Sequence, residues 1–369
     1  MQKPKVLFIL HMPPPVHGAA MVGKYIHDSK LINNQFECRY INLTTASSLE
    51  DIGKMSLLKL KAFARLVRNI RQHVKAYKPQ LVYITPNAKS GAFYKDFIVV
   101  EMLKIMGCKV VAHYHNKGVS TRQNRSLDNL LYKKFFKGIK VILLGKSLYK
   151  DVGKYVKWED IYFCPNGIPA GGECKRGGAI KEKQTTRFLF LSNLLESKGV
   201  YVLLDALKLL KDKGCSIICD FVGGETAEIK AKRFQVEIEK RGLSKVVFYH
   251  GKKYGEEKQM FLQDTDVFVF PTFNDCFPLV LLEAMQQGLP CVTTDEGGIA
   301  DIVKDGVNGL ICEKRNAQSL ADKLLYLIQN ESVREEMGRK GYERYIQLFT
   351  LDKFEKRLSM ILHECCETN

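Results

Sequence analysis

DVFVFPTFNDCFPLVLLEAMQQGLPCVTT (266–294) decides the fold. Its two ends, DVFVF and PCVTT, are short runs rich in β-branched and aromatic residues, which is strand character. The residues between them read as a helix with Pro278 at its first position, where the missing N–H costs nothing. Strand, helix and strand in so short a stretch make the βαβ unit of a parallel sheet.

The same alternation extends in both directions. Upstream the candidate strands are KVLFIL (5–10), FECRYINL (36–43), LVYIT (81–85), CKVVAHYH (108–115) and KVILL (140–144). A second series has RFLFLS (187–192), SIICDFV (216–222), KVVFYHG (245–251) and the two strands quoted above. Helical patterns follow near 317–330, 331–348 and 351–366 with no strand after them. Two successive series of this kind predict two doubly wound α/β domains, 1–164 and 187–348. A Gly-, Pro- and charge-rich linker joins them at 165–186. Residues 349–369 then form a helix that returns to the first domain.

With 369 residues, 46% apolar and 26% charged, the chain suits two globular domains and not a disordered or fibrous protein. No apolar run reaches the roughly 18 residues of a membrane span, and the opening MQKPKVLFIL is too brief for a signal peptide, so a cytoplasmic protein is expected. The cysteine count is odd, at 11, with scattered positions and no C-x-x-C pair, which fits small buried side chains better than disulfides or zinc. Charge is divided unevenly: residues 1–170 hold 28 Lys and Arg against 10 Asp and Glu, whereas 171–369 hold 29 against 30. The first domain is therefore expected to meet something anionic.

Three motifs are weighed and set aside. GAAMVGKY (18–25) matches a phosphate-binding P-loop until Tyr25, where Ser or Thr should ligate magnesium, so an NTPase is kept only as an alternative reading. The aspartates of DTD (264–266) lie between a helix and a strand, where turn and capping chemistry accounts for them, and no metal site or other cofactor is expected. No G-x-G occurs anywhere, which excludes a nicotinamide fingerprint.

The chemistry is concentrated in PTFNDCFPLVLLEAMQQGLPCVTTDEGGIADIVKDGVNGLI (271–311). Asp275 falls in a loop before a helix and Glu283 about two turns into it. Amides at such a helix start, around Phe277 and Leu279, suit a phosphate, and the carboxylates can accept hydrogen bonds from sugar or ribose hydroxyls. This segment resembles the donor signature of the family 4 retaining glycosyltransferases: Glu, seven residues, Glu, then Gly-Gly and a further acid. Asp275 and Asp301 stand here where the family has Glu.

The resemblance implies the GT-B architecture, with two Rossmann-like domains facing a cleft, and a sugar transferred from a nucleotide diphosphate. UDP-sugars are the first choice of donor and GDP-mannose the second. It implies that Asp275 faces the donor sugar, that Glu283 holds the ribose, and that Gly297 and Gly298 lie near the phosphates. SNLLESKGVYVLLDAL (192–207) resembles the family's Gly-Arg-Leu and Lys-Gly segment, so Lys198 would meet the pyrophosphate, while Asn193 replaces the Arg. Gly223 in FVGGE (221–225) and Lys252 in YHGKK (249–253) end strands where open α/β sheets bind nucleotides. Gly18 resembles the family's first-domain glycine loop, and His115 in AHYHNKG (112–118) its histidine near the reacting carbon; His113 is the second choice. The implied setting is cell-envelope polysaccharide synthesis, capsule or lipopolysaccharide, on a saccharide or polyprenyl-pyrophosphate-linked acceptor. An inactive anion-binding protein of the same fold is the remaining alternative.

KMSLLKLKAFARLVRNIRQHVKAYK (54–78) carries eight Lys or Arg and no acid. Phe63, Leu66, Val67, Ile70, Val74 and Tyr77 recur at three and four, a single apolar helical face. An anionic membrane surface is the expected partner and nucleic acid is not, because no base-reading motif accompanies the charge. The expected location is peripheral, on the cytoplasmic face of the membrane.

Overall fold

A computed structural model describes residues 3–14, 17–43, 57–171 and 185–367, with side chains throughout except at 57–59. Lys54 to Ser56 of the basic segment and 172–184 of the assigned linker lie outside the described residues. The chain divides into two compact units, Met1–Gly167 with Leu351–Asn369, and Ile168–Thr350.

The first unit runs β1 (Lys5–Leu10), α1 (Gly18–Asp28), α2 (Lys30–Gln35), β2 (Glu37–Asn42), α3 (Leu57–Tyr77), β3 (Leu81–Ile84), α4 (Ser90–Ile105), β4 (Val110–Tyr114), α5 (Ser126–Phe136), β5 (Lys140–Leu143), α6 (Tyr149–Val152) and β6 (Ile161–Phe163). Its strands pair in the order β2-β1-β3-β4-β5-β6, every pair parallel. Val6 to Leu10 and Val82 to Ile84 are fully buried, the unbroken apolar run of strands covered on both faces. On α3, Ile70, Val74 and Tyr77 are buried. Each such aliphatic side chain contributes about 1.5–3 kcal/mol, which holds the C-terminal half of this basic helix to the unit.

GAAMVGKY is not a phosphate loop. It forms the first turns of α1, capped by His17, whose Nδ1 accepts the Ala20 N–H at 3.3 Å. Gly23 is required by packing, since a Cβ there would lie 1.9 Å from the His11 carbonyl oxygen. The NTPase reading therefore falls.

The second unit runs β7 (Thr186–Leu191), α7 (Val200–Asp212), β8 (Ile217–Val222), α8 (Ala231–Lys240), β9 (Val247–Tyr249), α9 (Gly255–Asp264), β10 (Val267–Phe270), α10 (Leu279–Gln286), β11 (Cys291–Thr294), α11 (Ile299–Ile302), β12 (Gly309–Cys312), α12 (Ala317–Gln329) and α13 (Glu331–Leu348). The strand order is β12-β11-β10-β7-β8-β9, again all parallel. The chain moves outward from β7 to β9 and then returns to place β10 on the other side of β7. That reversal lies at the carboxyl ends of β7 and β10, where open α/β sheets place a ligand-binding crevice.

α14 (Leu351–Glu367) belongs to the first unit, where it packs on α2 and β3. Phe354, Leu358 and Leu362 are fully buried, and Tyr162 donates to Glu364 at 2.7 Å. The start of the assigned linker is fixed in the second unit: Ile168 N–H donates to the Phe349 carbonyl at 3.0 Å, and Gln286 donates to that of Pro169 at 2.7 Å. Of the DTD aspartates, Asp264 ends α9 and Asp266 accepts the N–H of Arg187 on β7 at 2.8 Å, a tie between neighbouring strands and not a turn. Every described cysteine is a free thiol.

Candidate functional site

Three loops of the second unit converge at its crevice, one each from β7, β10 and β11. The first two are joined through Ser197, whose carbonyl accepts the Phe273 N–H at 2.9 Å and the Thr272 hydroxyl at 3.1 Å. Gly199 permits the approach: its φ is +82°, and a Cβ would stand 2.2 Å from the Pro271 carbonyl oxygen. Any side chain at that position would force the two loops apart.

Across this junction the Lys198 ammonium lies 2.6 Å from Asp275 Oδ2 and donates to the Asn274 carbonyl at 3.2 Å. Asp275 Oδ1 accepts the Cys276 N–H at 2.9 Å. An ammonium has three donors, so one of them remains for a ligand. The β11 loop completes the cluster. Gly297 has φ +57°, and a Cβ on it would meet the Asp275 carbonyl oxygen at 2.4 Å, while Gly298 N–H donates to the Cys276 carbonyl at 2.7 Å. These glycines hold the acid loop in place.

Pro278 is the cap before α10 rather than its first residue, and Leu279 opens the helix. Glu283 is thus its fifth residue, little more than one turn in and not two. Its Oε1 is 2.8 Å from the ammonium of Lys258 on α9, and its Oε2 is buried with no hydrogen-bond partner. A buried, unpaired carboxylate oxygen carries a desolvation cost that a ligand hydroxyl would relieve. Phe277 is a core residue, buried with its ring 6.1 Å from that of Phe349.

Asn193, Gly223 and Lys252 form a second cluster, at the ends of β7, β8 and β9. Asn193 Oδ1 accepts the Gly224 N–H at 3.0 Å, and a Cβ on Gly223 would lie 1.8 Å from the Ser192 carbonyl oxygen. Lys252 lies across Gly224, its Cε 2.2 Å from where a Cβ would be. Asn193 is therefore a loop-fixing residue, and the exposed Lys252 brings a cation to its side.

Gly18 and His115 lie in the first unit. Gly18 is the first residue of α1 with open space where a side chain would project. His115 follows β4, its ring 4.2 Å from that of His113, and burial lowers its pKa to about 3 with help from the neighbouring His11 charge. His113 is fully buried, with Nδ1 2.6 Å from the Tyr83 hydroxyl, and burial pushes its pKa well below the usual value. His11 is lowered to about 4 by burial and by His17 and Lys95. The nearby Asp96 accepts both nitrogens of Asn87, at 2.7 and 2.8 Å, yet its burial raises its pKa to about 6. At neutral pH these imidazoles are uncharged and can accept hydrogen bonds as well as donate them.

Sequence reading missed Lys258, and also the ion pair of the buried Glu296 with Lys314 at 2.9 Å, which buttresses the β11 loop. Both pairs join residues distant in the chain, one on α9 and one after β12, where no motif marks them. Among the described residues no group of three or more His, Cys, Asp or Glu could hold a metal ion, and no helix is long and apolar enough to cross a membrane.

Residues 175–344 match the model of the family described as glycosyl transferases group 1. Over 155 residues the chain is 35% identical to an uncharacterized glycosyltransferase of Methanocaldococcus jannaschii, covering 42% of each chain. It is 28% identical over 239 residues to the amylovoran biosynthesis glycosyltransferase AmsK of Erwinia amylovora, covering 62% of this chain and 58% of that one. The chain spans about half the length of the curated relatives it matches. In fold it is similar to Anabaena HepE, solved in complex with UDP, with a TM-score of 0.74 at 18% identity over 98% of this chain and 100% of that one. Residues 175–344 are thus similar to the glycosyl transferases group 1 family, and the two doubly wound units share the fold of GT-B structures.

Proposed function

We propose that this protein transfers a sugar from a nucleotide diphosphate, with retention at the anomeric carbon, to a saccharide or polyprenyl-pyrophosphate-linked acceptor during synthesis of a cell-surface polysaccharide. UDP-sugars are the first candidate donors and GDP-mannose the second. The observation that carries this reading is the Lys198–Asp275 pair at the point where the second sheet reverses, beside the partnerless Oε2 of Glu283. Support comes also from a relative named for amylovoran biosynthesis and from a structural neighbour solved with UDP-glucose.

In this mechanism Glu283 accepts the ribose hydroxyls through Oε2 while Lys258 holds Oε1. The donor diphosphate takes the spare N–H of Lys198, with the Lys252 ammonium as a second cation where Asn193 supplies none. The bond from anomeric carbon to phosphate oxygen breaks, its electron pair passing to the diphosphate, whose growing charge Lys198 stabilises. The acceptor oxygen bonds to the anomeric carbon on the same face and its proton passes to the departing diphosphate. Asp275 orients the sugar hydroxyls and offsets positive charge on the ring. No metal takes part.

The proposed site of action is the cytoplasmic face of an anionic membrane, reached through α3. Lys61, Arg65, Arg68, Arg71 and Lys75 are all exposed, and among the described residues none pairs with an acid. Each basic residue near such a surface contributes about 1 kcal/mol, so four give roughly 4 kcal/mol, enough for reversible attachment.

A nucleotide panel read by thermal unfolding tests the proposal, because a ligand specific to the folded state raises the melting temperature. UDP is expected to raise it most, or GDP if the donor is GDP-mannose. A protein indifferent to every nucleoside diphosphate would remove the basis of the proposal.

A further inference from the structure

The outer face of the first unit's helical layer carries a feature that the charge of α3 does not explain. The chain crosses from β2 to β3, from β3 to β4 and from β4 to β5 in the same direction along the sheet. Right-handed crossovers therefore put α3, α4 and α5 on one face, and α4 packs against both neighbours. α4 and α5 run side by side. Tyr94 donates to Asp128 at 2.7 Å, and Lys104 donates to the carbonyls of Lys134 and Phe135 at 2.7 and 2.6 Å.

On α4 the residues of the core side are Phe93, Asp96, Val99, Val100 and Leu103. The opposite pole, seven residues apart, is Gly91, Ile98 and Ile105, with no charged side chain among them. On α5 the buried side is Asp128, Tyr132, Phe135 and Phe136, and Leu127 and Leu130 occupy the outer pole. Ile98 is 50% exposed, Ile105 85%, Leu127 59% and Leu130 64%. Single exposed aliphatics are ordinary, but four on the outward poles of adjacent helices form a ridge.

Its surroundings are basic. Arg65, Arg68 and Arg71 of α3 and Lys133 and Lys137 at the end of α5 are exposed, and Lys134 lies between α4 and α5 beside Glu101 and the Phe97 ring. The three acids of these helices are withdrawn: Asp96 and Asp128 are buried, and Glu101 is tied to Lys104 and Lys134 at 3.0 and 3.3 Å. A protein partner with an acidic rim would match the charge, but an apolar ridge inside a field of cations, with no acid exposed, is the pattern of interfacial membrane binding.

We infer that the outer face of α3, α4 and α5 is a bilayer-docking surface in which Ile98, Ile105, Leu127 and Leu130 enter the lipid while the flanking Lys and Arg hold anionic headgroups. This rests on the proposed membrane attachment and deepens it. The ridge adds a component that salt does not screen, because apolar burial is independent of the Debye length.

The test uses the full chain and its one tryptophan. In a Trp158→Phe background, Leu130→Trp reports on the ridge. Vesicles of phosphatidylcholine with about one third phosphatidylglycerol are compared with phosphatidylcholine alone, each with and without brominated acyl chains. On anionic vesicles the emission at position 130 is expected to shift to the blue and to be quenched by bromine. In parallel, Ile98→Ser/Leu127→Ser/Leu130→Ser should lower the partition coefficient at 0.1 M NaCl by roughly tenfold and abolish binding at 0.5 M, where the wild type retains a fraction. Circular dichroism checks that this surface variant is folded. Bound protein with an unshifted, unquenched tryptophan at position 130 would overturn the inference and leave electrostatic attachment standing. Absence of wild-type binding to anionic vesicles would sink both. A concentration-dependent dimer in light scattering, lost in the serine variant, would assign the ridge to a second copy of the chain and likewise overturn the inference.

Discussion

Glu283→Gln separates a ligand-binding carboxylate from an ordinary helix residue. The side chain stands on α10 with Oε1 held by Lys258 at 2.8 Å and Oε2 buried without a partner. If Oε2 accepts a ribose hydroxyl, the substitution replaces a charged acceptor by a neutral one and loses part or all of a charge-assisted hydrogen bond. Such bonds contribute about 1.5–3 kcal/mol, which converts to a loss of roughly 10- to 150-fold in nucleotide affinity. Calorimetric titration of UDP, or of GDP if the thermal panel favours it, into both proteins reads this directly. A nucleoside diphosphate without the sugar is the right probe, because the prediction concerns the ribose alone. Lys258→Met serves as a companion: the carboxylate loses its counter-charge and its anchor, so affinity should fall there as well. Nucleotide affinity within twofold of wild type in Glu283→Gln would show that the ribose binds elsewhere and that the buried oxygen is a structural accident.

Other consequences follow from neighbouring residues. Lys198→Met should lower turnover by about 10²–10³, the usual loss on removing one group that stabilises a departing anion, whereas Asp275→Asn should lower turnover and spare affinity for the free nucleotide; steady-state rates together with titration distinguish the two, and equal loss of affinity in both would refute the assigned roles. Turnover in EDTA should equal that in its absence, and complete loss restored by manganese would contradict the metal-free mechanism. Stability should fall as pH drops below about 6.5, because His11, His113 and His115 are neutral when folded but take up protons when unfolded. At pH 5 His11 and His115 each cost about 2 kcal/mol and His113 acts in the same direction, while Asp96, whose raised pKa of about 6 acts in the opposite sense, returns about 1.4 kcal/mol. Urea unfolding at pH 7.5 and pH 5 measures the net loss, and an unchanged midpoint would show that these histidines are solvated.

The central strands of both sheets were legible because burial on two faces demands unbroken apolar runs, as in KVLFIL and DVFVF. The edge strands β6 and β12 were not: IYF is too short to show a pattern, and GLIC lies inside a segment whose glycines read as loop. The spacing of Asp275, Glu283 and the Gly-Gly pair was visible because α10, the loop before it and the loop after β11 carry them in a single short stretch. Lys198 was visible only through its place between a strand and a helix. Its pairing with Asp275 depends on which strands are neighbours, and that is a property of topology rather than of local sequence. Lys258 sits in KQMFLQD, where nothing distinguishes it from other surface lysines; only the packing of α9 brings it to Glu283. The ridge on α4 escaped for a related reason. A helix that is apolar nearly all round reads as fully buried, and only the fold shows that Ile98 and Ile105 face outward.

The most direct test is nuclear magnetic resonance of purified protein mixed with each of a panel of UDP- and GDP-sugars, following the anomeric proton of the donor and of the product. Consumption of one donor is expected, by slow hydrolysis or by transfer to an added saccharide, with release of the nucleoside diphosphate and with the new anomeric signal keeping the donor's configuration. Its rate should fall by about 10²–10³ in Lys198→Met. No consumption of any donor by folded protein that binds the nucleotide would identify a binding protein of this fold, and inverted product would contradict the retaining mechanism.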